Sequence, residues 1–164
     1  MIVIVLGVSG AGKTTIGKLL AKEMSWKFYE GDDFHPQANI DKMRAGVPLT
    51  DDDRRPWLES LRELIERCLA ANEDAVLPCS ALKRSYRKFL RVNDRVKFVY
   101  LRGSYEVVAR QMQQRRGHFM NQELLQSQFA TLEEPEPDED AIVVELGRTP
   151  RVLVRDITKK LGAL

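Results

Sequence analysis

The chain has 164 residues, enough for one domain with a substantial core, and its 43% hydrophobic and 30% charged content is that of an ordinary globular protein. A net charge of +2 gives no broad field for nucleic acid or an anionic membrane, and no apolar run approaches the roughly 20 residues that cross a bilayer. Cys68 and Cys79 are the only cysteines. One lies on a helical apolar face and the other follows a strand-like run, which predicts reduced core residues, not a disulfide or a metal pair. The first apolar run has no basic leader, so a cytoplasmic protein is expected.

Met1–Leu6 predicts the first strand. Gly7-Val8-Ser9-Gly10-Ala11-Gly12-Lys13-Thr14 follows it and completes a G-x-x-x-x-G-K-[ST] pattern. The glycines let backbone N–H groups turn inward around phosphate oxygens. The helix expected over Lys13–Met24 adds N-terminal donors and a positive dipole end. Strand, glycine-rich turn and helix together predict binding of ATP through Gly7, Val8, Ser9, Gly10, Ala11, Gly12, Lys13, Thr14 and Thr15. Lys13 would reach the β/γ-phosphates, and Thr14 would turn its hydroxyl to Mg²⁺.

Lys27–Tyr29 predicts a second strand, and Pro36–Ala45 a short helix stopped by Gly46. The long helix is expected near Pro56–Ala71, with Trp57, Leu58, Leu61, Leu64, Ile65, Cys68 and Leu69 on one stripe and aspartates and Pro56 at its start. Later strands are placed at Ala75–Cys79, Val96–Leu101 and Ile142–Leu146, the first of these weakened by Pro78. Helices are expected at Leu82–Arg91, Tyr105–Gln114, Gln122–Leu132 and Arg151–Leu161. The acidic stretch Glu133–Asp140 with its prolines reads as a solvated turn. Strands alternating with helices predict an α/β fold of three layers, a five-stranded parallel sheet flanked by helices, in a single domain over residues 1–164.

Two absences narrow the class. No Asn-Lys-x-Asp sequence reads a guanine base. No later strand ends in the aspartate that a Walker-B ATPase sets on Mg²⁺, since the third runs into Ser80 and the fourth into Arg102. The acids instead follow the second strand, at Glu30-Gly31-Asp32-Asp33, where a small-molecule kinase needs them beside the γ-phosphate. On an extended segment residues 30 and 32 project the same way. Asp32 is thus the candidate to accept or orient the proton of an attacking hydroxyl, with Glu30 acting on Mg²⁺ through water.

Charged turn segments recur at strand ends, where α/β folds place their sites. Gly31-Asp32-x-x-His35-Pro36, Lys42-Met43, Asp51-x-Asp53-Arg54-x-Pro56-Trp57-Leu58, Cys79-Ser80-Ala81-Leu82-Lys83-x-x-Tyr86-Arg87, Gly117-His118-Phe119 and Gln126-Ser127-Gln128-Phe129-x-Thr131-Leu132-Glu133-x-Pro135 resemble the gluconokinase family. The resemblance runs from the phosphate loop to about Pro135. It implies a P-loop kinase fold with a mobile lid over about 103–132, and transfer of phosphate from ATP to D-gluconate. It further implies that Arg54 and Lys83 meet the gluconate carboxylate and that His35, Asp32 and His118 contact the substrate. Arg115, with Arg116 as its substitute, would be the lid cation on the transferring phosphoryl, beside a Gly117 hinge. A homodimer is the family's expectation, with no nucleic acid or membrane as partner. Shikimate and nucleoside-monophosphate kinases are the alternatives within the class, and an ATP-binding regulator without an acceptor is the alternative outside it.

Overall fold

β1 (Ile2–Leu6) is buried along its whole length, and its side chains alternate between two apolar layers. Ile2, Ile4 and Leu6 pack with Trp57, Leu61, Ile65 and Leu90 on one face. Val3 and Val5 pack with Ile16, Leu20, Val154 and Ile157 on the other. A strand buried on both faces reads as a continuous apolar run, which is how it appears in the sequence. The computed structural model describes residues 1–115 and 122–164. Around β1 stand β2 (Lys27–Phe28), β3 (Ala75–Pro78), β4 (Val96–Arg102) and β5 (Ile142–Glu145). All pair in parallel, in the order β2-β3-β1-β4-β5.

Seven α-helices cover this sheet among the described residues: α1 (Lys13–Met24), α2 (Gln37–Arg44), α3 (Asp51–Ala70), α4 (Arg84–Leu90), α5 (Tyr105–Gln113), α6 (Gln122–Thr131) and α7 (Pro150–Gly162). α3 and α4 contribute to the first layer; α1, α5, α6 and α7 contribute to the second. The expected three-layer fold is the one observed. The connection from β1 runs to one side of the sheet and that from β4 to the other. The order therefore reverses beside β1, and ligand sites in open α/β sheets lie outside the strand ends at such a point.

Two local expectations need correction, and a third holds for a reason the structure supplies. α3 begins at Asp51, five residues before Pro56, because Thr50 caps it: the Thr50 hydroxyl accepts from the Asp53 N–H at 3.1 Å and Asp53 accepts from the Thr50 N–H at 2.9 Å. Pro56 thus lies inside the helix, not at its first position. β2 ends at Phe28, and Gly31–Phe34 form a 3₁₀ turn instead of an extended segment, so strand alternation does not orient Glu30 and Asp32. Pro78, the source of doubt about β3, is tolerated because Cys79 N–H bonds Val5 O while β2 has already ended opposite Val76. The missing proline donor faces the side from which its neighbour has withdrawn.

The acidic stretch after α6 is mostly exposed and turns at Pro137–Glu139, as expected, but it is more than a solvated turn. It forms a strap clamped to α4 by arginines. Glu139 pairs with Arg87 at 2.7 Å, and their side chains are only 10% and 1% exposed. Arg87 also donates to the Ala81 and Leu82 carbonyls at 3.0 and 3.1 Å. Arg84 forks onto Asp138, its backbone N–H bonds Glu133, and Glu133 N–H bonds Leu82 O. Removing one partner of a buried pair leaves the other charge uncompensated. Glu139→Ala is therefore expected to lower stability by about 3–5 kcal/mol, read as a fall in the denaturant midpoint at unchanged slope.

Candidate active site

The phosphate loop connects β1 to α1. Gly12 caps α1 in the left-handed region at φ 95° and offers no side chain to the helix, whose first turn carries no acid. An anion is the natural cap for such a terminus. Gly10 also lies in the left-handed region (φ +81°), and a Cβ there would sit 2.4 Å from Met112 Cγ. Only glycine lets α5 close over the loop at this point. Lys13 Nζ donates to Val8 O at 2.9 Å. Burial lowers the pKa of this ammonium, against the opposing pull of Asp32, Cys79 and Glu30.

The same loop brings a hydroxyl and a carboxylate together. Thr14 Oγ1 donates to Glu30 Oε2 at 2.6 Å, so its lone pairs remain for a metal. Burial raises the Glu30 pKa, and the Thr14 hydrogen bond opposes it. Among the described residues no group of three or more His, Cys, Asp or Glu could hold a metal unaided.

The Glu30 side chain caps the 3₁₀ turn from which Asp32 projects. Gly31 is required there, since a Cβ would lie 2.3 Å from Pro78 O. A cleft opens beside this turn, lined by Lys13, Asp32, His35, Arg54, Trp57 and Ser80, among others. Asp32 and Lys13 line the same cleft, Asp32 from a turn and not from the expected extended segment. Arg54 is 9% exposed and donates to Tyr86 Oη at 3.1 Å. His35 stacks on Trp57 with centroids 4.3 Å apart at 11°, and Trp57 Nε1 is fixed on Gly31 O at 2.8 Å. Lys83 does not line the cleft. Its ammonium is held by Asp51 at 2.9 and 3.1 Å, and Asp51 also accepts from Tyr86.

A second cleft lies on the far side of the loop, lined by Gly12, Thr15, Gln114, Arg115, Arg148 and Pro150, among others. Arg115 Nη2 donates to Thr15 Oγ1 at 3.2 Å, which sets the expected lid cation over the start of α1. Arg116, Gly117 and His118 lie outside the described residues. The family motifs contain Trp57 and Gln128, but sequence reasoning gives neither a role at the site. Gln128 Oε1 accepts from the Ser9 N–H at 2.6 Å and so docks α6 on the phosphate loop. The motif marks the glutamine, but nothing local to the helix says that its partner is the Ser9 N–H, 119 positions away.

A phosphate loop at the reversal point of a five-stranded parallel sheet, with an aspartate and a basic acceptor cleft beside it, defines a P-loop kinase of small molecules. The family model described as shikimate kinase matches residues 9–161. The chain is 46% identical to the gluconokinase of Gluconobacter oxydans over 98% of its own length and 90% of the relative's. It is 50% identical to the thermosensitive gluconokinase of Escherichia coli over 85% and 75% of the two chains. The crystal structure of a gluconokinase from Sinorhizobium meliloti superposes with a TM-score of 0.89 at 44% identity, covering 98% and 91% of the two chains. The chain belongs to the gluconokinase family.

Proposed function

We propose that the protein transfers the γ-phosphoryl group of ATP to D-gluconate, giving 6-phospho-D-gluconate and ADP. The observation that carries this reading is the single cleft in which Lys13 and Asp32 meet Arg54 and His35. One end suits a phosphate, the other a polyhydroxylated carboxylate. The terminal hydroxyl oxygen of gluconate forms the new bond to phosphorus while the bond to the ADP oxygen breaks. Asp32 orients that hydroxyl and takes its proton as the bond forms. Lys13, the loop N–H groups and Arg115 balance charge on the phosphoryl oxygens. Thr14 would hold Mg²⁺ directly and Glu30 through water; the ion draws charge from the phosphates when bound. The nucleoside end of ATP is assigned to the second cleft, beside Arg148 and Pro150. Residues 103–132 are proposed to act as the lid, with α5 packed on Gly10 and Gln128 on Ser9 as its contacts to the loop.

Arg54 is the partner of the gluconate carboxylate in this reading, and Lys83 acts from behind it through Asp51 and Tyr86. Arg54→Ala should raise the gluconate KM by about 1.5–3 kcal/mol, the range for a lost hydrogen bond to a charged group, and leave the ATP KM nearly unchanged. Lys83→Ala should have a smaller effect in the same direction. Equal effects would put both cations on the carboxylate, and no effect from either would move that site elsewhere. A homodimer and a cytoplasmic location go with the family likeness, and light scattering on the purified protein checks the first. The activity itself is tested by coupled ADP release with gluconate, shikimate, nucleoside monophosphates and no acceptor. Turnover that depends on gluconate supports the proposal; turnover indifferent to acceptor overturns it.

A further inference from the structure

Asn39, on α2, is 2% exposed and takes no part in the chemistry described above. Its Nδ2 lies 2.8 Å from the Asp53 carbonyl oxygen and 3.1 Å from His35 Nδ1. A carbonyl oxygen only accepts, so the Asn39 atom against it is the amino nitrogen and not the amide oxygen. That amino group donates to whatever else it meets. The ring nitrogen facing it must therefore be the one without a proton. An imidazolium would set N–H against N–H. Burial opposes it as well, bringing the His35 pKa down to about 4 against the pull of Asp32 and with the push of Arg54.

Resting on the gluconate reading above, we infer that Asn39 is a positioning residue that locks His35 as the Nε2–H tautomer and so makes it a neutral hydrogen-bond donor to a substrate hydroxyl. Every part of the lock is itself held. Trp57 fixes the ring plane by stacking. The Asp53 carbonyl belongs to the capped first turn of α3, and the Asp53 carboxylate is anchored by Lys42 at 2.8 Å. The stack holds the ring plane, and the Asn39 contact selects both the ring's orientation and its tautomer. Asp32, when ionised, can only accept, so the cleft offers a hydroxyl an acceptor and an uncharged donor together. A hydroxyl both donates and accepts, and an analogue lacking it would leave both groups unpaired.

The test uses the full chain with ¹⁵N-labelled histidine. His35 and His118 are its only histidines, so the signals lost in His35→Gln assign the ring. Long-range proton–nitrogen spectra of the free wild-type protein at neutral pH should show a bare Nδ1 and a protonated Nε2. Asn39→Asp sets an acceptor against Nδ1 and should move a proton onto it. The gluconate KM should then rise about 3–10-fold, as for one lost neutral hydrogen bond, with the ATP KM unchanged. A protonated Nδ1 in the wild type overturns the inference, as does a folded Asn39→Asp variant with unaltered tautomer and gluconate KM. If Asn39→Asp does not fold, the wild-type spectrum alone decides the tautomer, and His35→Phe against wild type supplies the KM comparison. A wild-type protein with the expected tautomer but no gluconate turnover refutes the substrate reading and leaves the lock standing. The KM arm then runs with whichever acceptor the ADP assay identifies.

Discussion

Lys13→Met is expected to reduce kcat by about 10²–10³-fold or more, the loss that follows removal of one preorganised transition-state contact, with the fold intact. The ammonium sits at the start of α1 and, among the described residues, its one hydrogen bond is to the Val8 carbonyl, so methionine removes charge without opening a core cavity. Burial already works against this charge, and Asp32 and Glu30 offset only part of that penalty. In the proposed reaction the phosphate oxygens would supply the remaining compensation, so the charge is expected to matter most as the phosphoryl group moves. Single-turnover rates and thermal unfolding on the same sample separate the outcomes. A folded variant with near-normal turnover would refute the catalytic assignment of the loop.

Asp32→Asn should lower kcat by about 10²–10⁴-fold, the usual contribution of a general base, while ATP binding changes far less. The amide has nearly the same shape and still accepts through its oxygen, so the substrate is held and only the proton's destination is lost. Asp33 is the internal control. It shares the 3₁₀ turn but does not line the cleft, so Asp33→Asn should be nearly silent. If Asp33→Asn proves the crippling change, the assignment of the base within the turn is wrong.

These two residues also mark how far the sequence could be read. The phosphate loop is legible because every determinant is local: an apolar strand, glycines at fixed spacing, a lysine and a hydroxyl. Asp32 was reached through a premise the structure does not keep, since strand alternation was expected and a 3₁₀ turn is found. The start of α3 was placed five residues late because its capping box ends in Asp53 and not in glutamate or glutamine, and Pro56 offered itself as the first helical position. The strap was missed for a different reason. Glu139 and Arg87 are 52 positions apart, and nothing in an acidic stretch says which distant guanidinium will neutralise it. Asn39 had no signal at all, because its role depends on two partners that converge only in space.

The strap has a consequence for anyone building hybrids of this enzyme with its relatives. α4 and residues 133–139 look like separate exchangeable modules along the chain, with β4, α5 and α6 between them. Physically they are one module, since Arg84, Arg87 and Arg91 all end on strap atoms. A graft that brings a foreign α4 without its own strap would leave a guanidinium in a dry pocket facing the wrong partner. Crossovers placed at both borders of the pair should yield soluble hybrids, and crossovers placed between them should yield insoluble ones, even when the phosphate loop is inherited whole.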